Sequence, residues 1–299
     1  MWVAGIDENG LGPRLGPLVA TGVLLETSAY DPKRWRRVLR RIGVDDSKRV
    51  AAFGNVEAAA ALAGEAVGIA TGNAPRTFGD LVAAASREGE AWMKAPCPAE
   101  AAPQCWTESW TLPAPTGALT RALARLDARL VAVTSTILCP SRVNDSLADG
   151  RSKFGVDLGL FEAIVLSLRE RAGADALFLC GKVGARTDYD VAFGALAGYL
   201  RTTLEQKRRR SAYKLLGIGE VHFVMDGDSS EPPIALASVI GKVLREGFVG
   251  RINRFWTDRV PDLVPASGYY DPVTDAFIDG TRAARQVAAF PDRCFLRIR

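Results

Sequence analysis

The chain has 299 residues, 48% hydrophobic and 24% charged, the composition of a folded protein with enough length to bury a large core. No apolar run reaches the roughly 18 residues of a membrane span, and the N-terminus enters an apolar stretch without a basic segment and cleavage site, so neither a membrane anchor nor a signal peptide is expected. A net charge of +4 is too mild to establish nucleic-acid binding, and five cysteines (Cys97, Cys105, Cys139, Cys180, Cys294) without C-x-x-C spacing speak for reduced thiols in a cytoplasmic protein.

Trp2 to Ile6 reads as a strand that runs into two adjacent carboxylates, Asp7 and Glu8. A glycine-rich turn, Gly10-Leu11-Gly12, separates it from a second apolar strand, Leu18 to Leu25. A carboxylate pair beside a turn rich in backbone N–H groups suits a divalent cation that must meet a phosphate. The bland alternative is a solvated strand-end pair. Gly10-Leu11-Gly12 is not a nucleotide fingerprint, because Asp7 and Glu8 would repel a pyrophosphate without a metal between them.

A basic helix is expected near Pro32 to Arg41, and an alanine-rich helix over Val56 to Val67. Glu88 to Pro115 is rich in proline and carries Trp92, Trp106 and Trp110, side chains suited to stacking bases, anchoring a protein partner or packing on the body. Leu119, Leu123 and Leu126 recur at helical spacing within Thr116 to Arg129, and Leu130 to Leu138 is a β-branched strand. An amphipathic helix over Gly159 to Ala172 leads into a buried strand, Asp175 to Cys180. The cation clusters of Lys33 to Arg41 and of Lys207 to Arg210, the latter read at a helix end, suit either a phosphate backbone or a solvated helix face or end. Val221 to Met225 is a strand in which the solitary His222 is expected to be a satisfied strand histidine, a helix follows over Pro233 to Phe255, and Asp271 to Phe290 is a C-terminal helical segment. The alternation gives an α/β fold with a mixed central sheet.

Five motifs, in order, resemble type 2 ribonucleases H (ribonucleases HII and HIII). They are Asp7-Glu8 before the glycine turn, Asp46-Ser47-Lys48, Gly227-Asp228, Ile234 to Lys242 beginning six residues after Asp228, and Ser267-Gly268-Tyr269. The resemblance implies a ribonuclease H-like fold, in one domain over 1–299 with an insertion at about 52–136 and a C-terminal helical extension over 246–299. It also implies a metal site of Asp7, Glu8 and Asp228 holding Mg²⁺ or Mn²⁺. Nucleic acid would be held by Gly10, Gly12, Ser47, Lys48, Lys242 and Tyr269.

The chain departs from the family at its third carboxylate. Gly181 to Arg186 is similar to the turn after that residue, which puts Cys180 in its place. A thiol is a poor ligand for Mg²⁺ and, with an ordinary pKa of about 8.5, is mostly neutral at neutral pH. Asp175, Asp188 and Asp190 are the neighbouring carboxylates that would have to compensate. The glycine loop lacks the family's cation, with Arg14 three residues on, and Thr274-Asp275 stands where the family often has histidine. Two functions follow from the resemblance: endonucleolytic cleavage of RNA in RNA–DNA hybrids or of duplexes with ribonucleotides, impaired by Cys180, and a catalytically inactive nucleic-acid-binding descendant. A third reading is an interaction protein docking through the tryptophan-bearing insertion.

Overall fold

A computed structural model describes residues 1–46, 50–51, 53–88, 110–184 and 186–298. The Trp2–Ile6 apolar run extends to form β1 (Trp2–Asn9), and the glycine turn returns it antiparallel as β2 (Leu18–Thr27). Asp31 caps α1 (Pro32–Leu39) by accepting from the backbone N–H groups of Lys33 and Arg34, with proline at the first helical position. The helices α2 (Glu57–Thr71), α3 (Phe78–Ala85) and α4 (Ala118–Arg125) precede β3 (Ala128–Leu138). Then come α5 (Pro140–Ala148), α6 (Lys153–Ala172), β4 (Ala176–Gly181), β5 (Arg201–Gln206), β6 (Arg210–Leu215) and β7 (Gly219–Val224). A one-turn helix, α7 (Gly227–Ser230), leads into the 26-residue α8 (Pro232–Thr257), and the described chain ends in α9 (Pro272–Gly280), α10 (Arg282–Val287) and α11 (Asp292–Phe295).

The seven strands form one mixed sheet in the order β3-β2-β1-β4-β7-β6-β5, with β1, β4 and β7 parallel at its centre. Strand alternation divides the side chains of β1 between two layers. Ala4 and Ile6 join Phe178, Ile164 and Leu168 beneath α6. Val3 joins Leu179 and Ile234 on the α8 face. Gly5 lies under α8 so closely that a Cβ there would stand 2.0 Å from the carbonyl carbon of Pro233. Helix α8 is apolar around most of its circumference because it is covered on several sides, the pattern expected of a central helix.

Lys207 to Arg210 is not a helix end. It is the tip of the β5–β6 hairpin, closed by the Lys207 N–H donating to the Arg210 carbonyl at 2.8 Å. A run of like charges carries no periodicity, and what decides its conformation is the flanking pairing of β6 with β7, which buries Ser211, Ala212 and Tyr213. The helical Asp271–Phe290 segment consists of separate short helices. Within 52–136, Ala63, Leu119 and Leu123 share a core with Val23 and Val239, and α8 runs unbroken through residue 246. Trp110 stacks on Phe78 with ring centroids 4.2 Å apart and planes 6° off parallel, and Arg254 lies 4.5 Å above it. Trp92, Trp106, Cys97 and Cys105 lie outside the described residues. His222 is buried, 3.0 Å from a Glu220 carboxylate oxygen. Among the described residues no helix is long and apolar enough to cross a membrane.

Candidate active site

The C-terminal ends of β1 and β4 and the start of the α7–α8 segment meet at a cleft of about 360 Å³. Asp7 and Glu8 enter it from β1, and Asp228 from the single turn of α7. Asp226, held at a left-handed φ of 52°, turns the chain out of β7 and into that helical turn. Ile6 pairs with Cys180, so the next residue of β4, Gly181, runs alongside Asp7. A Cβ on Gly181 would stand 2.2 Å from Asp7 Oδ1, so the missing side chain makes the space that the Asp7 carboxylate fills.

Burial is the largest influence on Asp7, followed by the neighbouring Glu8 carboxylate, and both push its pKa well above the usual range. A hydrogen bond with the Ser238 side chain opposes this, and Asp228 adds a further upward push. Asp7 therefore feels both other carboxylates of the set that the sequence singled out. All the donors here are hard oxygens, the kind that Mg²⁺ and Mn²⁺ take, and the cradle at Gly181 fits a carboxylate turned into the cleft. Among the described residues, no three His, Cys, Asp or Glu side chains already stand as a closed cation cage.

The opposite wall is basic and aromatic. Lys242 reaches Glu246 at 2.8 Å and lies 5.9 Å from the Tyr269 ring, and the fully buried Arg245 lies 4.7 Å from the same ring. Gly10, at a φ of 98°, lets the loop press against the Arg245 side chain, where a Cβ would come within 3.0 Å of Cδ and Nε. Gly12 lines the cleft as well. Lys182, on the β4 side, donates to the carbonyls of Lys207 and Arg208 at 2.9 and 3.0 Å and so fixes the hairpin tip beside the cleft. Arg36 of α1 donates to the Ser229 carbonyl at 3.3 Å, which ties that basic helix to the turn bearing Asp228.

Other expected residues lie elsewhere. Ser47 and Lys48 lie outside the described residues. Cys180 ends β4 with its side chain fully buried in the α6 layer, and the cleft is lined at this point by Gly181 and Lys182. Burial, then the charge of Asp7, push its thiol well up, so it is neutral there. Asp188 pairs with Arg186, and Asp190 with Arg201 and Gln206, while Asp175 is exposed before the start of β4. Arg14 forms an ion pair with Asp275 and lies 5.6 Å from the Tyr270 ring. Thr274 is a helix-start residue whose N–H donates to Asp271 at 2.8 Å.

One buried carboxyl missed in the sequence lies on α6. Asp157 of α6 is 0% exposed, and neither of its carboxyl oxygens has a hydrogen-bond partner among the described residues. Burial raises its pKa well above the usual range, and the charge of Asp7 raises it further. A signal was present: Asp157, Phe161, Ile164, Val165 and Leu168 fall on one helical stripe, and a lone carboxylate on a core-facing stripe is costly.

A mixed sheet with parallel strands at its centre and helices on both faces is a ribonuclease H-like fold. The ribonuclease HII family profile matches residues 4–63. Over 50 residues the chain is 48% identical to ribonuclease HII of Methanothermobacter thermautotrophicus, covering 17% of this chain and 21% of that protein. Over 68 residues it is 43% identical to ribonuclease HII of Geobacillus kaustophilus, covering 21% and 22%. These matches thus span about a fifth of the curated relatives' length. The structure of Bst ribonuclease HIII with Mn²⁺ is similar with a TM-score of 0.50 at 13% identity, over 100% of this chain and 66% of that one. A point mutant of the same protein gives 0.51 at 13% identity, over 99% and 66%. The amino-terminal segment is thus similar to ribonuclease HII, and the chain as a whole shares the fold of the Bst ribonuclease HIII structures.

Proposed function

We propose that the chain is a divalent-metal-dependent endonuclease acting on RNA paired with DNA. The observation that carries this reading is the convergence of Asp7, Glu8 and Asp228 on one cleft whose other wall holds Lys242, Arg245 and Tyr269. Asp7, Glu8 and Asp228 would hold Mg²⁺ or Mn²⁺, and such cations supply an activated water and charge stabilisation at the leaving oxygen. Lys242 and the Gly10 and Gly12 backbone are placed to receive phosphate oxygens, and Tyr269, 41% exposed, offers a ring face to a sugar or base. Ser238 orients the Asp7 carboxylate through its hydrogen bond. The basic face of α1 and the hairpin tip flank the cleft on either side, a layout suited to a duplex backbone.

A second reading, a nucleic-acid-binding protein without turnover, is favoured by the apolar burial of Cys180. Cleavage of an end-labelled RNA–DNA hybrid, and of a duplex with a single ribonucleotide, across a Mg²⁺ and Mn²⁺ series separates the two. Metal-dependent cutting that Asp7→Asn abolishes supports the enzyme. Salt-dependent hybrid binding without cutting in either metal supports the binder.

A further inference from the structure

Arg297 is 7% exposed, and its Nε and Nη2 have no hydrogen-bond partner among the described residues. Two other buried arginines show what such a group ordinarily finds. Arg245 pairs with Glu246 and donates to the Ser267 carbonyl at 3.1 Å, and Arg285 reaches Asp292 at 3.1 Å and the Ile278 carbonyl at 2.9 Å. A guanidinium taken out of water without a counter-charge is costly. Burial, then the charge of Arg245, push the pKa of Arg297 down to about 9, so the group remains cationic at neutral pH.

The placement of this side chain is fixed by its backbone. The Arg297 N–H donates to the Arg14 carbonyl at 2.9 Å, the Ile298 N–H to Asn144 Oδ1 at 2.9 Å, and Asn144 Nδ2 to the Leu296 carbonyl at 2.7 Å. Arg297 lines a cavity of about 600 Å³ together with Arg14, Arg293 and Tyr270. Two carboxylates share that lining, but Asp275 is taken by Arg14 and Asp292 by Arg285. The cavity is tied to the cleft through the backbone: the Arg14 N–H donates to the Gly268 carbonyl at 2.7 Å, Tyr269 lines the cleft, and the next residue, Tyr270, lines the cavity.

We propose that this cavity is a phosphate-binding site anchored by Arg297 and separate from the carboxylate cleft. A phosphate oxygen at Nη1, the guanidinium nitrogen outside the enclosed pair, neutralises a charge that is delocalised over the whole group. Arg14 and Arg293 add positive charge around the same space. A free phosphate ion and a nucleic-acid backbone carry this chemistry alike. The backbone source, a strand passing from Tyr269 to Tyr270, rests on the nucleic-acid reading of the cleft, whereas the site itself does not.

The test uses full-length wild type, Arg297→Gln and Arg297→Met, all in EDTA. In the first arm, melting is followed as sodium phosphate replaces sodium chloride at constant ionic strength; the general salting-out effect of phosphate is common to all three chains. The wild-type melting temperature should rise, and both variants should lose most of that rise. Melting in chloride is the folding control, and removal of an unpaired buried charge should leave it at or above wild type. In the second arm, RNA–DNA hybrid binding is measured by fluorescence anisotropy over a salt series. Both variants should bind about tenfold more weakly, and the slope of log affinity against log salt should fall in magnitude by about one. A lost phosphate response with unchanged hybrid binding assigns the site to free phosphate, and a reduced slope with an unchanged phosphate response assigns it to the strand. A wild-type phosphate response together with a wild-type salt slope in the folded variants would overturn the inference. Absence of hybrid binding by wild type would overturn the nucleic-acid reading, and the phosphate arm would then decide for or against Arg297 on its own.

Discussion

Gly5→Ala should separate α8 from β1 and open the cleft. A Cβ at this position would lie 2.0 Å from the carbonyl carbon of Pro233, 2.1 Å from its oxygen and 2.4 Å from the amide nitrogen of Ile234. All three are backbone atoms of α8, so no side-chain rotation relieves the clash. Restoring an ordinary contact of about 3.5 Å requires the helix to retreat by roughly 1.5 Å. Overpacking of this kind costs about 1–3 kcal/mol, and backbone on both sides places it at the top of that range. The alanine recovers about 0.4–1 kcal/mol by restricting the unfolded chain. The net loss is about 2 kcal/mol, or a fall of about 4–8 °C in melting temperature on the scale for large domains. Because Ser238 and Asp228 move with α8 relative to Asp7, Mn²⁺ affinity should fall as well. Calorimetric melting and Mn²⁺ titration of Gly5→Ala are compared with Gly159→Ala, whose Cβ would meet nothing within 4 Å in the middle of α6 and should gain about 0.5–1 kcal/mol. A Gly5→Ala protein that melts with wild type and binds Mn²⁺ equally well would refute the reasoning.

Gly181→Ala meets a side-chain oxygen rather than backbone, 2.2 Å away at Asp7 Oδ1, so stability should change by less than about 1 kcal/mol while Mn²⁺ affinity falls; calorimetry that shows the reverse ranking refutes it. Cys180→Asp puts a further carboxyl into the buried α6 layer that already holds the buried Asp157 of the same helix face and should destabilise by about 2–4 kcal/mol. Adding Asp157→Ser should recover much of that loss, as measured by urea unfolding of the single and double variants. The raised pKa values of Asp7 and Asp157 mean that the folded chain holds protons the unfolded chain has released. In EDTA, stability should therefore be greatest below about pH 4 with respect to these groups and decline as pH rises toward their folded values. Asp157→Asn should flatten that decline, and a melting series in which the mutation steepens it would contradict the assignment. Trp110→Ala removes the face-to-face stack on Phe78 and should cost about 2 kcal/mol without altering Mn²⁺ affinity, checked by thermal melting and titration.

Much of the architecture was legible locally. The apolar run ending in Asp7-Glu8, the glycine turn and the second strand announce themselves because strand hydrophobicity and turn chemistry are written into adjacent residues. The long helix after Asp228 was legible for a related reason: proline at its start and an unbroken apolar stretch leave few other conformations. The hairpin of β5 and β6 was not. Arg201–Gln206 is largely exposed and polar, and its strand state comes from pairing with a neighbour rather than from its own composition. At the site, sequence order identified Asp7, Glu8 and Asp228, which the tertiary structure brings to one cleft. It also drew attention to Cys180, whereas strand register places Gly181 alongside Asp7 and turns the thiol toward α6. Asp175, Asp188 and Asp190 stood out by their nearness in the chain to Cys180, yet the fully buried carboxyl on this side of the sheet belongs to Asp157, on the helix before β4. Nearness in the chain does not give nearness in space across a helix–strand crossover. The packing of α6 against the sheet, an outcome of the whole buried layer, decides which of its side chains face inward.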